Sequence, residues 1–163
     1  MAFEKEIIKA EMQRKSIFIE MDSNSKLGPE MIPNDPHCQS GNGKVLSEIV
    51  NRHGLIVANG LSDKCVGAIT RKRVTKESTE ESIIDHVLIS EDLKNDLKSM
   101  HIDEERLNVL TKIVKTKKGV HKQLSDHNPI IVNFAIQWSR KVRKQRVEMF
   151  NLKNKEWQAL FKV

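Results

Sequence analysis

The chain has 163 residues, of which 38% are hydrophobic and 31% charged, and its formal net charge is +6. This length fits one domain with a buried core, and no apolar run approaches the roughly 20 residues that a membrane helix needs. Two cysteines, Cys38 and Cys65, are too few for a disulfide framework and lack the spacing of a metal site. We therefore expect an intracellular protein of the nucleus or cytoplasm that does not associate with membranes.

The positive charge is concentrated at the C-terminal end of the chain. Residues 138–163 contain eight Lys or Arg and two Glu, whereas residues 1–137 hold 20 basic and 20 acidic side chains. A basic tail on a neutral body is typical of contact with a polyanion, and equally of a solvated linker helix. We predict a body at 1–137 and a basic helical tail or linker at 138–163. The tail residues predicted to bind nucleic acid are Arg140, Lys141, Arg143 and Lys144.

Hydrophobic periodicity predicts two amphipathic helices in the first part of the body, at 3–13 and 43–53. Each helix is followed by a short apolar strand, at 17–20 and 55–58. A polar cluster with a Gly-Pro pair follows the first strand and predicts a loop that continues to about residue 40.

The second part of the body is predicted to consist mainly of strands. Apolar, β-branched runs at 66–74, 82–89 and 130–136 indicate strands, and 101–118 could hold one or two more. An N-capping serine followed by acidic residues predicts a helix at 91–99.

This order of elements predicts an α/β layered fold, with a mixed β-sheet covered by helices on one face. The strands at 17–20, 55–58, 83–89 and 130–136 are apolar on both faces, which is typical of a sheet that is covered on both sides. Because the predicted helices can cover one face at most, we expect the other face to be exposed.

Polar side chains interrupt the apolar pattern at three strand ends. A buried polar group without a partner costs about 1–3 kcal/mol, so three such interruptions need an explanation. Each one places a carboxylate near an amide or an imidazole: Asp22 with Asn24, Asp85 with His86, and Asp126 with His127. Alone, the last pair is better explained as a solvated turn. Together, the three pairs indicate one site that is assembled from separate strand ends.

Side chains of these types fit metal-assisted hydrolysis of a phosphodiester. Mg²⁺ binds oxygen ligands and keeps several waters, so that one or two carboxylates are enough to hold it. An imidazole beside a carboxylate can transfer a proton or contact a phosphate. An Asp and an Asn near the phosphorus can orient a water and donate to an oxygen. The expected cofactor is therefore Mg²⁺, with Mn²⁺ as the alternative.

Three motifs of the chain resemble, in order, motifs from the C-terminal half of the endonuclease/exonuclease/phosphatase superfamily. The family patterns are Gly-Asp-Phe-Asn, Ile-Asp-Tyr/His-Val/Ile-Leu and Ser-Asp-His-x-Pro. The matching stretches are Met21-Asp22-Ser23-Asn24, Ile84-Asp85-His86-Val87-Leu88 and Ser125-Asp126-His127-Asn128-Pro129. Thr70-Arg71, Asn42-Gly43-Lys44 and the basic segment that follows the body resemble the endonucleases of non-LTR retrotransposons in particular.

The resemblance implies a Mg²⁺-dependent DNA endonuclease and a role for each matching residue. His127 would contact the scissile phosphate or transfer a proton, and Asp85 would orient it. Asp126 would help to hold the metal. Asp22 would position or deprotonate the attacking water, and Asn24 would bind phosphate.

The resemblance also implies roles for Arg71 and His86. Arg71 would contact DNA. His86 stands where the family often has Tyr, and we expect it to be a packing residue. Around the first motif, Met21 and Ser23 replace the Gly and Phe of the family pattern, so this strand end is expected to pack differently.

The resemblance covers residues 3–137, which correspond to about half of the family's four-layer domain. The first half of that domain supplies an Asn and a metal-binding Glu. We therefore expect a truncated domain that is weakly active or inactive alone. Its exposed sheet face would pair with the missing half or with a second copy of the chain. One alternative is a non-catalytic remnant that binds nucleic acid or pairs with a protein. Another is a phosphatase or sphingomyelinase of the same superfamily.

Overall fold

The computed structural model describes residues 2–75, 77–108, 111–116 and 119–135. The predicted tail at 138–163 lies outside these residues. The helices and strands are α1 (Ala2–Met12), β1 (Phe18–Asp22), α2 (Gly41–Arg52), β2 (Ile56–Val57), β3 (Cys65–Val66), β4 (Arg71–Val74), β5 (Thr79–Ser82), β6 (Asp85–Ile89), β7 (Leu97–Ile102), β8 (Thr111–Thr116), β9 (Gly119–Leu124) and β10 (Ile130–Phe134).

Strand β6 is the centre of an antiparallel sheet with the order β1-β6-β2. Successive side chains of a strand point to opposite faces, so Leu88 and its neighbours Val87 and Ile89 lie on different sides. Leu88 packs with Ile7 of α1 and Ile49 of α2 in one apolar cluster. The sheet is therefore covered by helices on one face, and the predicted α/β class is confirmed.

A second sheet covers the other face of β6. Its order is β10-β7-β3, with β10 antiparallel and β3 parallel to β7. Met100 and Ile102 of β7 form a second buried cluster with Val87 and Ile89 of β6. The expectation that this face of the first sheet is exposed is wrong, because the last strands of the body form a separate sheet that packs against it.

The outward face of the second sheet is exposed. Val66 of β3 and Ile131 of β10 are both paired with His101 of β7, so these three side chains form a row across the sheet. Val66 is 63% and Ile131 43% exposed. Strands β4 and β5 form one hairpin and β8 and β9 another. Among the described residues, no helix combines the length and apolar character needed to cross a bilayer.

The predicted helix at 91–99 is wrong. Glu91–Leu93 form only one 3₁₀ turn, after which the chain enters β7. Leu97, Met100 and Ile102 are buried between the sheets, at exposures of 0–1%. Burial and pairing with two other strands therefore outweigh the local preference for a helix.

The predicted strand at 66–74 is divided between two sheets. Gly67 has a φ of +87°, and a Cβ atom there would lie 2.7 Å from the carbonyl oxygen of Ile102. The chain therefore turns at a position where a side chain does not fit. The predicted strand at 82–89 is divided between β5 and β6.

The loop after β1 is held against the N-terminus of α2. The hydroxyl of Ser40 accepts hydrogen bonds from the backbone N–H groups of Gly43 and Lys26, both at 3.1 Å. A Cβ atom on Gly43 would lie 1.9 Å from the carbonyl oxygen of Lys26. The absence of a side chain at residue 43 thus allows the loop that carries Asn24 to approach the helix.

We predict that Gly43→Ala lowers the free energy of unfolding by about 1–3 kcal/mol, because the loop must move away from the added methyl group. Urea denaturation followed by circular dichroism measures this change. The matched control is Gly41→Ala, since a Cβ atom on Gly41 meets nothing within 4 Å. Alanine favours a helix by up to about 1 kcal/mol over glycine, so the control should be no less stable than the wild type. Equal losses of stability in both variants would show that the methyl group added at residue 43 does not clash with the loop at Lys26.

Candidate active site

The three predicted motifs meet at one end of β6. Asp85, the first residue of β6, is paired in register with Asp22, the last residue of β1. His127 lies in the loop before β10 and forms an isolated β-bridge with Arg71. The fold thus brings together side chains that are more than 100 positions apart in the sequence.

A bifurcated contact joins His127 to Asp85. Nδ1 of His127 lies 3.0 Å from both carboxylate oxygens of Asp85. An ionised carboxylate only accepts hydrogen bonds, so Nδ1 donates and Nε2 remains available. Nε2 lies 3.9 Å from Oδ2 of Asp22 and 4.0 Å from Oδ1 of Asp126. The imidazole therefore has one anchored nitrogen and one that is surrounded by carboxylates.

The carboxyl groups of Asp85 and Asp126 are in different electrostatic environments. Burial raises the pKa of Asp85 and outweighs the lowering effect of His127 and of a hydrogen bond with Thr70. Burial also acts to raise the pKa of Asp126, but the hydrogen bond and positive charge of Arg71 outweigh it, and the pKa is lowered. Asp126 is thus held as an anion, with its Oδ2 2.8 Å from Nε of Arg71.

Thr70 joins the chain segments that carry these residues. Its side chain is fully buried, and Oγ1 accepts hydrogen bonds from the backbone N–H groups of Ile84 at 2.9 Å and Asp85 at 3.0 Å. Its carbonyl oxygen accepts a 2.7 Å bond from the N–H of Asn128. One residue therefore sets the start of β6 and the loop around His127 at the same time.

The Asp22–Ser25 loop is held by its serines rather than by an aromatic residue. Ser23 bonds to the carbonyl oxygen of Ile84 through both its N–H and its hydroxyl, at 3.0 and 2.8 Å. Oδ1 of Asp22 accepts a 3.1 Å bond from the N–H of Asn24, which has a left-handed φ of +46°. The Asn24 side chain is therefore presented at an exposed position beside Asp22.

His86 points away from the other site residues. It is fully buried, and its Nε2 lies 3.0 Å from the carbonyl oxygen of Ser25. Burial lowers its pKa and outweighs that hydrogen bond. His86 thus has the packing role expected of it, and it also holds the end of the loop that carries Asn24.

Three of the site residues could hold a metal ion. Asp22, Asp85 and His127 each offer one ligand atom, and these atoms lie within 4.8 Å of one another. Asp126, the predicted metal ligand, is paired with Arg71 at the edge of this group. The two carboxylates are the oxygen ligands that Mg²⁺ and Mn²⁺ prefer, whereas an imidazole is a more usual ligand of Zn²⁺ or iron.

Sequence reasoning missed two residues that support the site. It named Thr70 only as part of a motif, and it did not single out Asn59, whose side-chain amide bonds to the backbone of β6. Both are uncharged residues near turns, where Thr and Asn have many structural roles. The predicted nucleic-acid contacts at 140–144 lie outside the described residues.

Comparisons with known proteins bear on the fold. No protein-family model matches the chain, and no curated protein sequence does so either. A solved structure, the endonuclease domain of TRAS1, a telomere-specific non-LTR retrotransposon, matches with a TM-score of 0.59 and 18% sequence identity. The match covers 84% of this chain and 52% of that one. The chain therefore has an endonuclease-type fold and spans about half the length of the structure it matches.

We predict that Thr70→Val destabilises the protein although it preserves the shape of the side chain. Two backbone N–H groups lose their acceptor, and a buried donor without a partner costs about 1–3 kcal/mol. The control is Thr70→Ser, which keeps the hydroxyl and loses one methyl group, worth about 0.8 kcal/mol. Chemical denaturation compares the variants. A valine variant as stable as the serine variant would show that the hydroxyl does not hold the start of β6.

Proposed function

We propose that this chain is a metal-dependent phosphodiester hydrolase that cleaves DNA. The observation that carries the proposal is the His127–Asp85 pair, with Nε2 of the imidazole facing Asp22 and Asp126. An imidazole that is oriented by one carboxylate and lies beside others is suited to proton transfer at a phosphate. The likeness of the fold to that of an endonuclease domain supports the same reading.

Each residue has a separate part in the proposed reaction. Asp85 accepts from Nδ1 of His127 and so keeps Nε2 available to contact the scissile phosphate or to transfer a proton there. Asp22 positions the attacking water or takes its proton. Asn24 donates from its exposed side-chain amide to a phosphate oxygen, where negative charge develops.

The metal-binding part of the proposal rests on the donor set. Asp22 and Asp85 supply carboxylate oxygens that are close enough to share one ion. Asp126 adds an oxygen at 4.0 Å from Nε2 of His127, so the imidazole need not be a ligand. A bound Mg²⁺ or Mn²⁺ would supply charge stabilisation at a phosphoryl oxygen.

A groove beside the candidate site supports the proposal that the substrate is a polyanion. Its volume is about 410 Å³, and its charged lining residues are three cations and two anions: Lys26, Arg71, Arg73, Glu80 and Glu81. Arg71 and Arg73 are two positions apart on β4 and so share a face of that strand. Among the described residues, Lys26 and Arg73 form no ion pair, so both cations can pair with a phosphate backbone.

We predict slow, Mg²⁺-dependent nicking of supercoiled plasmid DNA by the chain, abolished by EDTA. His127→Ala should reduce the rate at least about 100-fold, since a general acid or base contributes that much or more. Asp126→Ala should also reduce it strongly. The control is His101→Ala, because His101 is an exposed histidine on the outward face of the second sheet.

The rate should be slow because the family pattern places one metal-binding glutamate outside the stretch that this chain resembles. Nicking that survives His127→Ala would contradict the proposed site. DNA binding without any metal-dependent nicking would instead make the chain a non-catalytic nucleic-acid-binding protein.

We predict that Arg73→Ala weakens DNA binding and lowers the slope of log affinity against log salt concentration by about one, as expected for one lost phosphate contact. Fluorescence anisotropy with labelled DNA in EDTA measures binding without cleavage. The control is Lys72→Ala, which removes the same charge from the adjacent position. Lys72 lies on the opposite face of β4 and pairs with Glu81 at 2.7 Å. Equal changes in both variants would contradict a contact specific to the groove.

A further inference from the structure

The side chain of Asn59 extends the first sheet beyond the end of β2. Strand β2 pairs with β6 only at Ile56 and Val57, and the chain then forms a 3₁₀ turn at Ala58–Gly60. Asn59 lies in the middle of this turn. Its Nδ2 donates to the carbonyl oxygen of Asp85 at 3.1 Å, and its Oδ1 accepts from the N–H of Val87 at 2.9 Å.

These two bonds replace those that a further residue of β2 would make. In an antiparallel ladder, alternate residues of β6 direct their N–H and C=O groups towards the same neighbouring strand. Val87 is fully buried, so its N–H group would otherwise lack a partner in an apolar environment. An amide can satisfy both groups, because it offers a donor and an acceptor side by side.

The turn that carries Asn59 is itself held in place. A Cβ atom on Gly60 would lie 2.5 Å from the carbonyl oxygen of Met31, so the turn packs closely against the loop that precedes α2. The Asn59 amide is therefore presented to β6 from a constrained backbone.

The bonds converge on the backbone of Asp85. Asn59 binds its carbonyl oxygen, Thr70 Oγ1 binds its N–H, and β1 lies on its other side through the pairing with Asp22. With the backbone held from three directions, the Asp85 carboxylate is directed at Nδ1 of His127. We propose that Asn59 is a positioning residue of the candidate active site, acting on His127 through Asp85; its effect on catalysis rests on the proposed function.

The experiment compares Asn59→Asp with Asn133→Asp. Aspartate at residue 59 keeps the shape and the acceptor for Val87, but loses the donor to the Asp85 carbonyl oxygen. Asn133 is an exposed amide on β10 whose Nδ2 donates to the hydroxyl of Ser99 at 3.0 Å, so the control introduces the same negative charge and the same change of shape away from the site. NMR of the histidine side chains reports the hydrogen-bonded Nδ1 proton of His127, and plasmid nicking reports kcat and KM.

We expect the Nδ1 proton signal of His127 to shift and exchange faster in Asn59→Asp and to stay unchanged in Asn133→Asp. We also expect kcat to fall about 10- to 100-fold, as is usual when a group that orients a ligand is lost, with KM for DNA unchanged. An unchanged Nδ1 signal in folded Asn59→Asp would overturn the proposal. A changed signal in a chain whose wild type does not nick DNA would support the positioning role and contradict the proposed function.

A measurement on the wild type covers the case in which Asn59→Asp does not fold. Hydrogen exchange should show the Val87 N–H protected as strongly as that of Leu88, since the Asn59 side chain replaces a strand partner. Exchange of the Val87 N–H at the rate of an exposed loop would overturn the proposal without any variant.

Discussion

The buried hydroxyl of Thr70 is the constraint on which the arrangement of the site depends. Two consecutive backbone N–H groups, those of Ile84 and Asp85, point at one oxygen atom where β6 begins. Buried N–H groups need partners, and here a side-chain oxygen provides one for both. The same residue accepts a bond from Asn128 through its carbonyl oxygen, so the start of β6 and the loop around His127 share one support.

Strand β6 is covered on both faces, and this explains why an ionisable pair can lie at its end. Leu88 faces the helices, while Val87 and Ile89 face the second sheet, so the strand has little freedom to shift. Asp85 is the first residue of β6 and is partly exposed to solvent, whereas the four residues that follow it are buried. Its carboxyl group is buried enough for its pKa to be raised, yet it remains in contact with a half-exposed imidazole. The apolar core thus places the pair, while polar groups of the turns orient it.

The composition of the site could be read from the sequence, but its support could not. Asp85 and His127 lie at the ends of apolar strands, and such polar residues stand out because their desolvation must be compensated. Asn59 follows the strand predicted at 55–58, and Thr70 lies within the strand predicted at 66–74. Asn is common in turns and Thr in strands, so nothing in the local pattern distinguishes these two residues. The helix predicted at 91–99 failed for a related reason: its local signals were sound, but the strand that replaces it is stabilised by β10 and β3, which are distant in sequence. The number of sheets likewise depended on which strands pair, and single-strand patterns do not specify this.

The bridge between Arg71 and His127 also gives the site a mechanical property. The N–H of Lys72 donates to the carbonyl oxygen of Asp126 at 2.7 Å, and Asn128 bonds to the carbonyl oxygens of Ile69 and Thr70. The histidine loop is thereby attached, as a short extra strand, to the base of the β4–β5 hairpin. Backbone hydrogen bonds thus join the base of the hairpin to the loop on both sides of His127. A substitution that shifts the backbone at Arg71 or Lys72 would therefore also shift the backbone that carries the imidazole.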